Sequence, residues 1–257
     1  MLKLRTLGAV SLVGSGGREV RAVLTQPKRV ALLTYLAVAT PGGFHRRDTL
    51  LGLFWPEQDQ RHARASLRKA THVLRRALGA DVIVARGDEE LAVAPELLWC
   101  DAAAFEQAVS RSRAKEALQL YAGDLLEGFF LAEAPEFERW LERERAWLRA
   151  CAAEQAWQLA EHALASAQAI DAARWARRAF EFTPDDESAF RDLVSLLYRI
   201  GDRAGALRAY EDFVSRLERE FGTRPSATTR RLVDDVRLSK DIAIPEQRGG
   251  RRSEAAR

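Results

Sequence analysis

The stretch Gln60–Leu78, QRHARASLRKATHVLRRAL, narrows the choices for this chain more than any other segment. It carries six Arg/Lys, two His and no Asp or Glu. At about 100° per residue, Arg61, Arg64, Arg68, His72 and Arg75 fall on one narrow helical stripe. Ala63, Leu67, Ala70, Leu74 and Leu78 form a second stripe, roughly 130° away. Forked guanidinium donors opposite an apolar back suit a polyphosphate groove. A plain solvated amphipathic helix shows the same pattern, so the surrounding chain has to decide.

Charge divides along the chain. Residues 1–100 hold 15 Lys/Arg against 9 Asp/Glu, residues 101–237 hold 20 against 25, and residues 238–257 hold 5 against 3. The asymmetry points to a nucleic-acid-facing first part and a second part facing something else. Cys100 and Cys151 lack CxxC spacing and read as small buried apolar residues. MLKLRTLG has no secretory pattern, and no apolar run approaches the roughly 18 residues of a membrane span, so a cytoplasmic protein with no membrane partner is expected.

Leu2–Leu7, Ala9–Val13 and Glu19–Leu24 read as a short antiparallel meander turned by Gly14-Ser-Gly-Gly17. That glycine run is no phosphate loop, because no Lys-Ser/Thr follows it and no helix is expected behind it. Pro27 opens a helix continuing over Lys28–Ala39, which Pro41-Gly42-Gly43 ends. A second helix spans about Arg47–Phe54 and stops at Trp55-Pro56, with Trp55 read as core. The polar link Glu57–Gln60 then leads into the basic helix. A β-hairpin follows from Val82–Ala85 and Leu91–Val93 around Gly87-Asp-Glu-Glu90.

Strands, three helices with the basic one third, then a hairpin, make a winged helix-turn-helix with an added N-terminal sheet. The segment resembles the OmpR-type DNA-binding domain, specifically its version in the SARP regulators (Streptomyces antibiotic regulatory proteins). The resemblance is carried by Gln26-Pro27-Lys28-Arg29 with Ala31-Leu32-Leu33, by Arg47-Asp48-x-Leu50 to Leu53-Phe54-Trp55-Pro56, and by Ala65-Ser66-Leu67 to Leu74–Gly79. It implies that the third helix enters the major groove and the wing lies along neighbouring DNA. Arg61, Arg64, Arg68, His72 and Arg75, with Thr71 beside them, then face the groove, while Lys69 and Arg76 flank it. Arginine suits bidentate contact with guanine, and Lys or Arg at the helix edges suits phosphate.

Two departures from the resemblance stand out. The wing turn holds Asp88, Glu89 and Glu90, which phosphate repels, and leaves Arg86 as the one cation nearby. Arg46 stands where the second helix would open on a Ser or Thr cap. The lost cap costs on the order of 1 kcal/mol, while Arg46 and Arg47 can reach backbone phosphates.

From Asp101, read as an N-cap, the chain is a succession of amphipathic helices. Ala173 to Ala206 and Phe180 to Phe213 are both offset by 33, close to the roughly 34-residue tetratricopeptide period. Thr183-Pro184-Asp185-Asp186 reads as cap, N1 proline and early acids of a helix. The segment also resembles the bacterial transcriptional activator domain of SARP regulators. The residues concerned are Asp101-x-x-x-Phe105-Glu106, Tyr121-x-Gly123-Asp124-Leu125-Leu126, Trp140-Leu141-Glu142-x-Glu144-Arg145, Gly201-Asp202-x-x-x-Ala206 to Glu211, and Phe221 to Ser226. Thr228 replaces a capping Glu, so a looser start to the last helix is expected.

The resulting fold class is mainly α with a small β part, a winged helix-turn-helix domain plus a tetratricopeptide-like α-helical repeat domain. The expected organisation is 1–98 for DNA binding, 99–238 for the activator domain and 239–257 for a disordered basic tail or linker. His45, His62, His72 and His162 have no metal-ligand spacing, and no catalytic motif or cofactor loop is visible, so no enzyme, metal or cofactor is expected. The resemblance implies a sequence-specific transcriptional activator in the cytoplasm, associated with the nucleoid. Its expected partners are double-stranded DNA at promoter direct repeats, RNA polymerase subunits and a second copy in a homodimer. The alternative is a helical-repeat interaction module, or the front end of a signalling protein, whose degenerate winged helix makes protein contacts.

Overall fold

Pairing at the N-terminus is settled by a partner almost a hundred residues away. In the computed structural model, which describes residues 1–14 and 16–238, β1 (Leu2–Arg5) pairs antiparallel with β2 (Ser11–Val13). The chain falls into two compact units, Met1–Leu159 and Ala160 onward. The Gly17 N–H donates to the Gly14 carbonyl at 3.0 Å after β2, and Glu19 then makes an isolated bridge to Val13, with the Val20 N–H donating to the Leu12 carbonyl at 2.9 Å. The expected third strand, Glu19–Leu24, does not form. Arg21–Leu24 is instead a one-turn helix, α1, which drives Val23 into the core and leads to α2 (Pro27–Val38). Pro27 occupies the first turn of α2, where its missing N–H costs nothing.

Next come β3 (His45–Arg46), α3 (Arg47–Phe54) and α4 (Gln60–Leu78). No side chain caps α3 at Arg46. Trp55 ends α3 and is buried. Asp59 caps α4 by accepting from the His62 N–H at 3.0 Å, and Gly79 ends it at a φ of 115° that glycine adopts without strain. β4 (Ile83–Arg86) and β5 (Glu90–Val93) form the wing, and β3 extends it to a sheet of order β3-β5-β4. β6 (Leu98–Cys100) then runs parallel to β1, setting Leu2 beside Leu98 and Leu4 beside Cys100, and supplies the third strand of the first sheet.

The first unit continues into α5 (Asp101–Ser110), α6 (Ala114–Leu120) and α7, whose range is Pro135–Ala165. Asp101 is the first residue of α5 rather than a residue before it. Its buried carboxylate accepts from the Thr6 N–H at 2.7 Å, the Thr6 hydroxyl at 2.9 Å, the Leu7 N–H at 3.1 Å and the Ala102 N–H at 2.9 Å. It therefore ties the end of β1 to the start of α5 while also serving the helix.

The loop before α7 docks on the same strand end. The Leu126 N–H donates to the Thr6 carbonyl at 2.7 Å and the Gly8 N–H to the Asp124 carbonyl at 2.9 Å. A Cβ at Gly123 would lie 3.0 Å from the Gly8 Cα, so the crossing needs a glycine there. Arg145 on α7 donates to the carbonyls of Leu125, Leu126 and Phe129 at 2.6–3.2 Å and fastens the loop from the other side. Rings complete the joint: Tyr35 meets Trp140 at 4.8 Å and Phe54 meets Phe137 at 5.1 Å. Cys100 is buried, Cys151 half-buried, and both are free thiols; burial, then nearby Asp101, pushes the Cys100 thiol up to about 11.

In the second unit, α8 (Ala169–Phe182), α9 (Glu187–Arg199), α10 (Arg203–Phe221) and α11 (Ala227–Leu238) follow the repeat read from the sequence. Ala173, Ala176 and Ala206 are buried, as small residues at a helix crossing should be. Phe190 and Phe213 stack at 4.2 Å, and Phe180 meets Phe213 edge-on at 6.0 Å. The cap of α9 is Asp186, accepting from the Ser188 N–H at 2.7 Å, rather than Thr183; Pro184 lies in the turn ahead of it.

The looser start expected at Thr228 is offset from another helix. Glu187 of α9 accepts from the Ser226 N–H at 3.0 Å and from the Ser226 and Thr229 hydroxyls at 2.6 Å, the service a capping-box Glu would give. Burial alone would raise the Glu187 carboxyl, but these hydrogen bonds outweigh it and hold it below its ordinary value. The expected tail, 239–257, lies outside the described residues.

Two stability experiments follow. Asp101→Ala leaves the Thr6 and Leu7 N–H groups buried without an acceptor and is expected to cost about 3 kcal/mol in urea unfolding. Asp101→Asn should recover part of that, and a loss below about 1 kcal/mol for the alanine variant would contradict the tie. Glu106 on α5 is pushed up to about 7, first by burial and then by Glu144 on α7, and its Oε1 has no hydrogen-bond partner. A carboxyl raised above its unfolded value of 4.5 holds its proton better when folded, so stability falls as pH rises through about 7. Glu106→Gln should raise the melting temperature at pH 8 and leave it nearly unchanged at pH 5.

Candidate nucleic-acid interface

The apolar stripe of α4 is buried throughout: Ala63, Leu67, Ala70, Leu74 and Leu78 are each at most 8% exposed. With that face committed to the core, the opposite face forms the floor of a cleft of about 730 Å³. Its walls are the start of α3, with Arg47 and Asp48, and the turn between β4 and β5, with Asp88 and Glu89. Arg61, Arg64, Arg68, Thr71, His72 and Arg75 line it from α4, together with Gln60 and Leu67.

Within this set the side chains differ in how free they are. Arg61, Arg68 and His72 are exposed. Arg64 is exposed and lies 3.5 Å from Asp48. Arg75 is half-buried, and its Nε donates to the Ile83 carbonyl at 2.8 Å, which braces α4 against the wing. Thr71, expected beside the groove-facing stripe, is buried. Its hydroxyl donates to the Leu67 and Arg68 carbonyls at 2.9 and 3.0 Å, so its oxygen is engaged by the helix itself.

The remaining expected residues lie outside the cleft lining. Lys69 and Arg76 are exposed on the flanks of α4, and Arg46 is exposed on β3 opposite Glu90. Arg86 lies 4.5 Å over the Phe44 ring and is paired with Glu90, so the cation nearest the wing tip already carries a counter-charge.

Arg47 supplies the cation of the α3 wall. Its N–H donates to the Glu89 carbonyl at 2.8 Å, which ties α3 to the wing tip, and its Nε is buried with no hydrogen-bond partner. Partial burial first, then the positive charges of Arg75 and Arg68, hold its guanidinium below the ordinary arginine range; Asp88 and Glu89 act in the other direction. Five arginines, one histidine and three carboxylates thus share one open recess. Such a recess can take up a polyanion edge or donate to neutral acceptors on bases.

Asp48 as a wall residue went unread in the sequence. Its signal was its place one residue into α3, where an acid also complements the positive end of the helix dipole. Among the described residues no group of three His, Cys, Asp or Glu could hold a metal ion, and no helix is long and apolar enough to cross a membrane.

Comparison with known proteins agrees with this architecture. The fold is similar to that of EmbR from Mycobacterium tuberculosis, solved in complex with a low affinity phosphopeptide. The two share 21% identity and a TM-score of 0.54, over 91% of this chain and 64% of that one. This chain therefore spans just under two thirds of that protein's solved length. No curated protein matches the chain. Residues 100–237, just over half of the sequence, match the family of the bacterial transcriptional activator domain. The chain belongs to that family, in keeping with the SARP resemblance that its motifs carry.

Proposed function

We propose that the chain is a sequence-specific DNA-binding transcriptional activator in which α4 is the recognition helix. The observation that carries this is the single cleft uniting Arg47, Arg61, Arg64 and Arg68 over a helix whose other face is wholly committed to the core. In this reading α4 enters the major groove, and Arg61, Arg64 and Arg68 divide between guanine edges and phosphates. Lys69, Arg76 and Arg46, outside the recess, follow the flanking phosphates. Arg75 serves as a brace for the wing, and Arg86 contributes little charge because Glu90 already neutralises it.

Residues 1–98 are the DNA-binding module and 99–238 the activator module in this proposal. The activator module contacts RNA polymerase, and two copies of the chain sit side by side on direct repeats upstream of a promoter. The protein acts in the cytoplasm at the nucleoid and catalyses no reaction. Family membership supports the activator role, and the α8–α11 repeat offers the kind of surface on which helical-repeat proteins bind partner segments.

A second reading draws on the wing. Asp88 and Glu89 at its tip, and Arg86 neutralised by Glu90, suit protein contacts better than phosphate, so the winged helix could serve as an interaction module alone.

Selection from a random duplex pool, followed by titration of the selected duplex across salt, separates the two. About four to five phosphate contacts give a log–log slope of roughly −4. Arg64→Ala and Arg68→Ala are each expected to cost about 1–3 kcal/mol of specific binding, and Lys69→Ala less. A pool that yields no preferred duplex, or a salt-independent affinity, would overturn the DNA reading in favour of the interaction module.

A further inference from the structure

We propose that the carboxylates rimming the α4 cleft, Asp48, Asp88 and Glu89, are specificity determinants: they partly offset the charge of Arg47 and Arg64, so that the cleft admits neutral base edges and resists phosphate. This rests on the DNA-binding reading above and assigns a role to the one feature of the interface that reading leaves unexplained.

The acids are built into the recess. Glu89 is fixed by its carbonyl, which accepts from the Arg47 N–H at 2.8 Å, so the wing tip is anchored to the start of α3. Asp88 and Glu89 both act electrostatically on the Arg47 guanidinium, and Asp48 lies 3.5 Å from Arg64. Arg86 cannot offset them, being paired with Glu90 and stacked on Phe44. An anion approaching Arg47 or Arg64 therefore meets an arginine that already has an anionic neighbour.

The consequence differs for the two parts of DNA. A phosphate must exchange one anion for another at Arg47 and Arg64, and it brings its charge up to the remaining carboxylates. Guanine O6 and N7 are neutral acceptors, and a guanidinium has five N–H donors in a planar fork. An arginine can thus turn one edge to the base and keep its carboxylate on another. Binding to arbitrary sequence consists almost wholly of phosphate contacts and the counterions they release. Fixed carboxylates do part of the counterions' work in advance, so they subtract more from arbitrary than from specific binding. Asp48, Asp88 and Glu89 widen the ratio between the two at some cost in absolute affinity.

The experiment compares wild type with Asp88→Asn/Glu89→Gln and with Asp48→Asn. Each is titrated across salt on a duplex selected by the wild-type protein and on a scrambled duplex of the same composition. The backbone tie from Arg47 to Glu89 survives these amide substitutions, and Asp88→Glu/Glu89→Asp preserves the charge as a control for local fit.

For the double amide variant, affinity for the scrambled duplex is expected to rise about tenfold at physiological salt, with a slope steeper by about one unit. Affinity for the selected duplex should change by less than about threefold, and the charge-preserving control should behave as wild type. Asp48→Asn should move the same way by a smaller factor. Unchanged or weaker binding to scrambled DNA in both amide variants would overturn the inference and leave DNA recognition standing. Equal gains on both duplexes would also overturn it, because the acids would then be general repellents. If wild type selects no duplex at all, the DNA reading fails and the inference falls with it.

Discussion

Burial of the apolar stripe of α4 is the constraint on which the rest of the first unit depends. Leu67 and Leu74 are essentially inaccessible and Leu78 nearly so. At about 1.5–3 kcal/mol for each leucine, these three side chains alone contribute several kcal/mol to the rotational setting of the helix. Opposing this, the like charges along the other face repel by only a few tenths of a kcal/mol per exposed neighbouring pair. Packing wins by a wide margin, so the cationic face has no choice of direction. The direction of the cationic face is thus a by-product of where the leucines must go, set to within the tolerance of a packed core.

What surrounds that helix is held by polar ties rather than by more apolar area. The Asp101 carboxylate gathers donors from β1 and from α5, Arg145 gathers three carbonyls of the loop ahead of α7, and Gly8 and Gly123 let two backbones cross. Each group satisfies several partners that would otherwise be buried without one, which makes their loss costlier than the average hydrogen bond. The winged helix and the first helices of the activator segment accordingly fall within one compact unit, Met1–Leu159, whereas the family match begins at residue 100. The Tyr35–Trp140 and Phe54–Phe137 contacts lie across that same junction.

Much of this was legible in the sequence where the signal is local. Pro56 and Gly79 delimit α3 and α4 because one cannot continue a helix and the other tolerates the φ that ends it. The two stripes of α4 and the 33-residue spacing of alanines and phenylalanines reflect period alone, and both emerge in the structure. What could not be read depends on partners far away. The third strand of the first sheet is β6, on the far side of β1 from β2, and not Glu19–Leu24 beside β2, since pairing across some ninety-five residues leaves no local mark. The buried carboxylate of Asp101 looked like a simple cap. The helix-opening service of Glu187 to Ser226 spans 39 residues and hides behind an absent glutamate at Thr228. In the cleft, the stripe residues were visible from spacing, but the inward turn of the Thr71 hydroxyl, the brace from Arg75 to Ile83 and the place of Asp48 all require knowing what stands opposite.

The central claim is that DNA meets this chain at the exposed face of α4. Arginine-directed chemical labelling read by mass spectrometry, with and without a duplex selected by the protein, addresses it residue by residue. Protection of Arg61, Arg64 and Arg68, with Arg174 and Arg178 of α8 labelled equally in both states, is the result expected. Protection confined to α8, or none on α4 at duplex concentrations that saturate binding, would contradict the account.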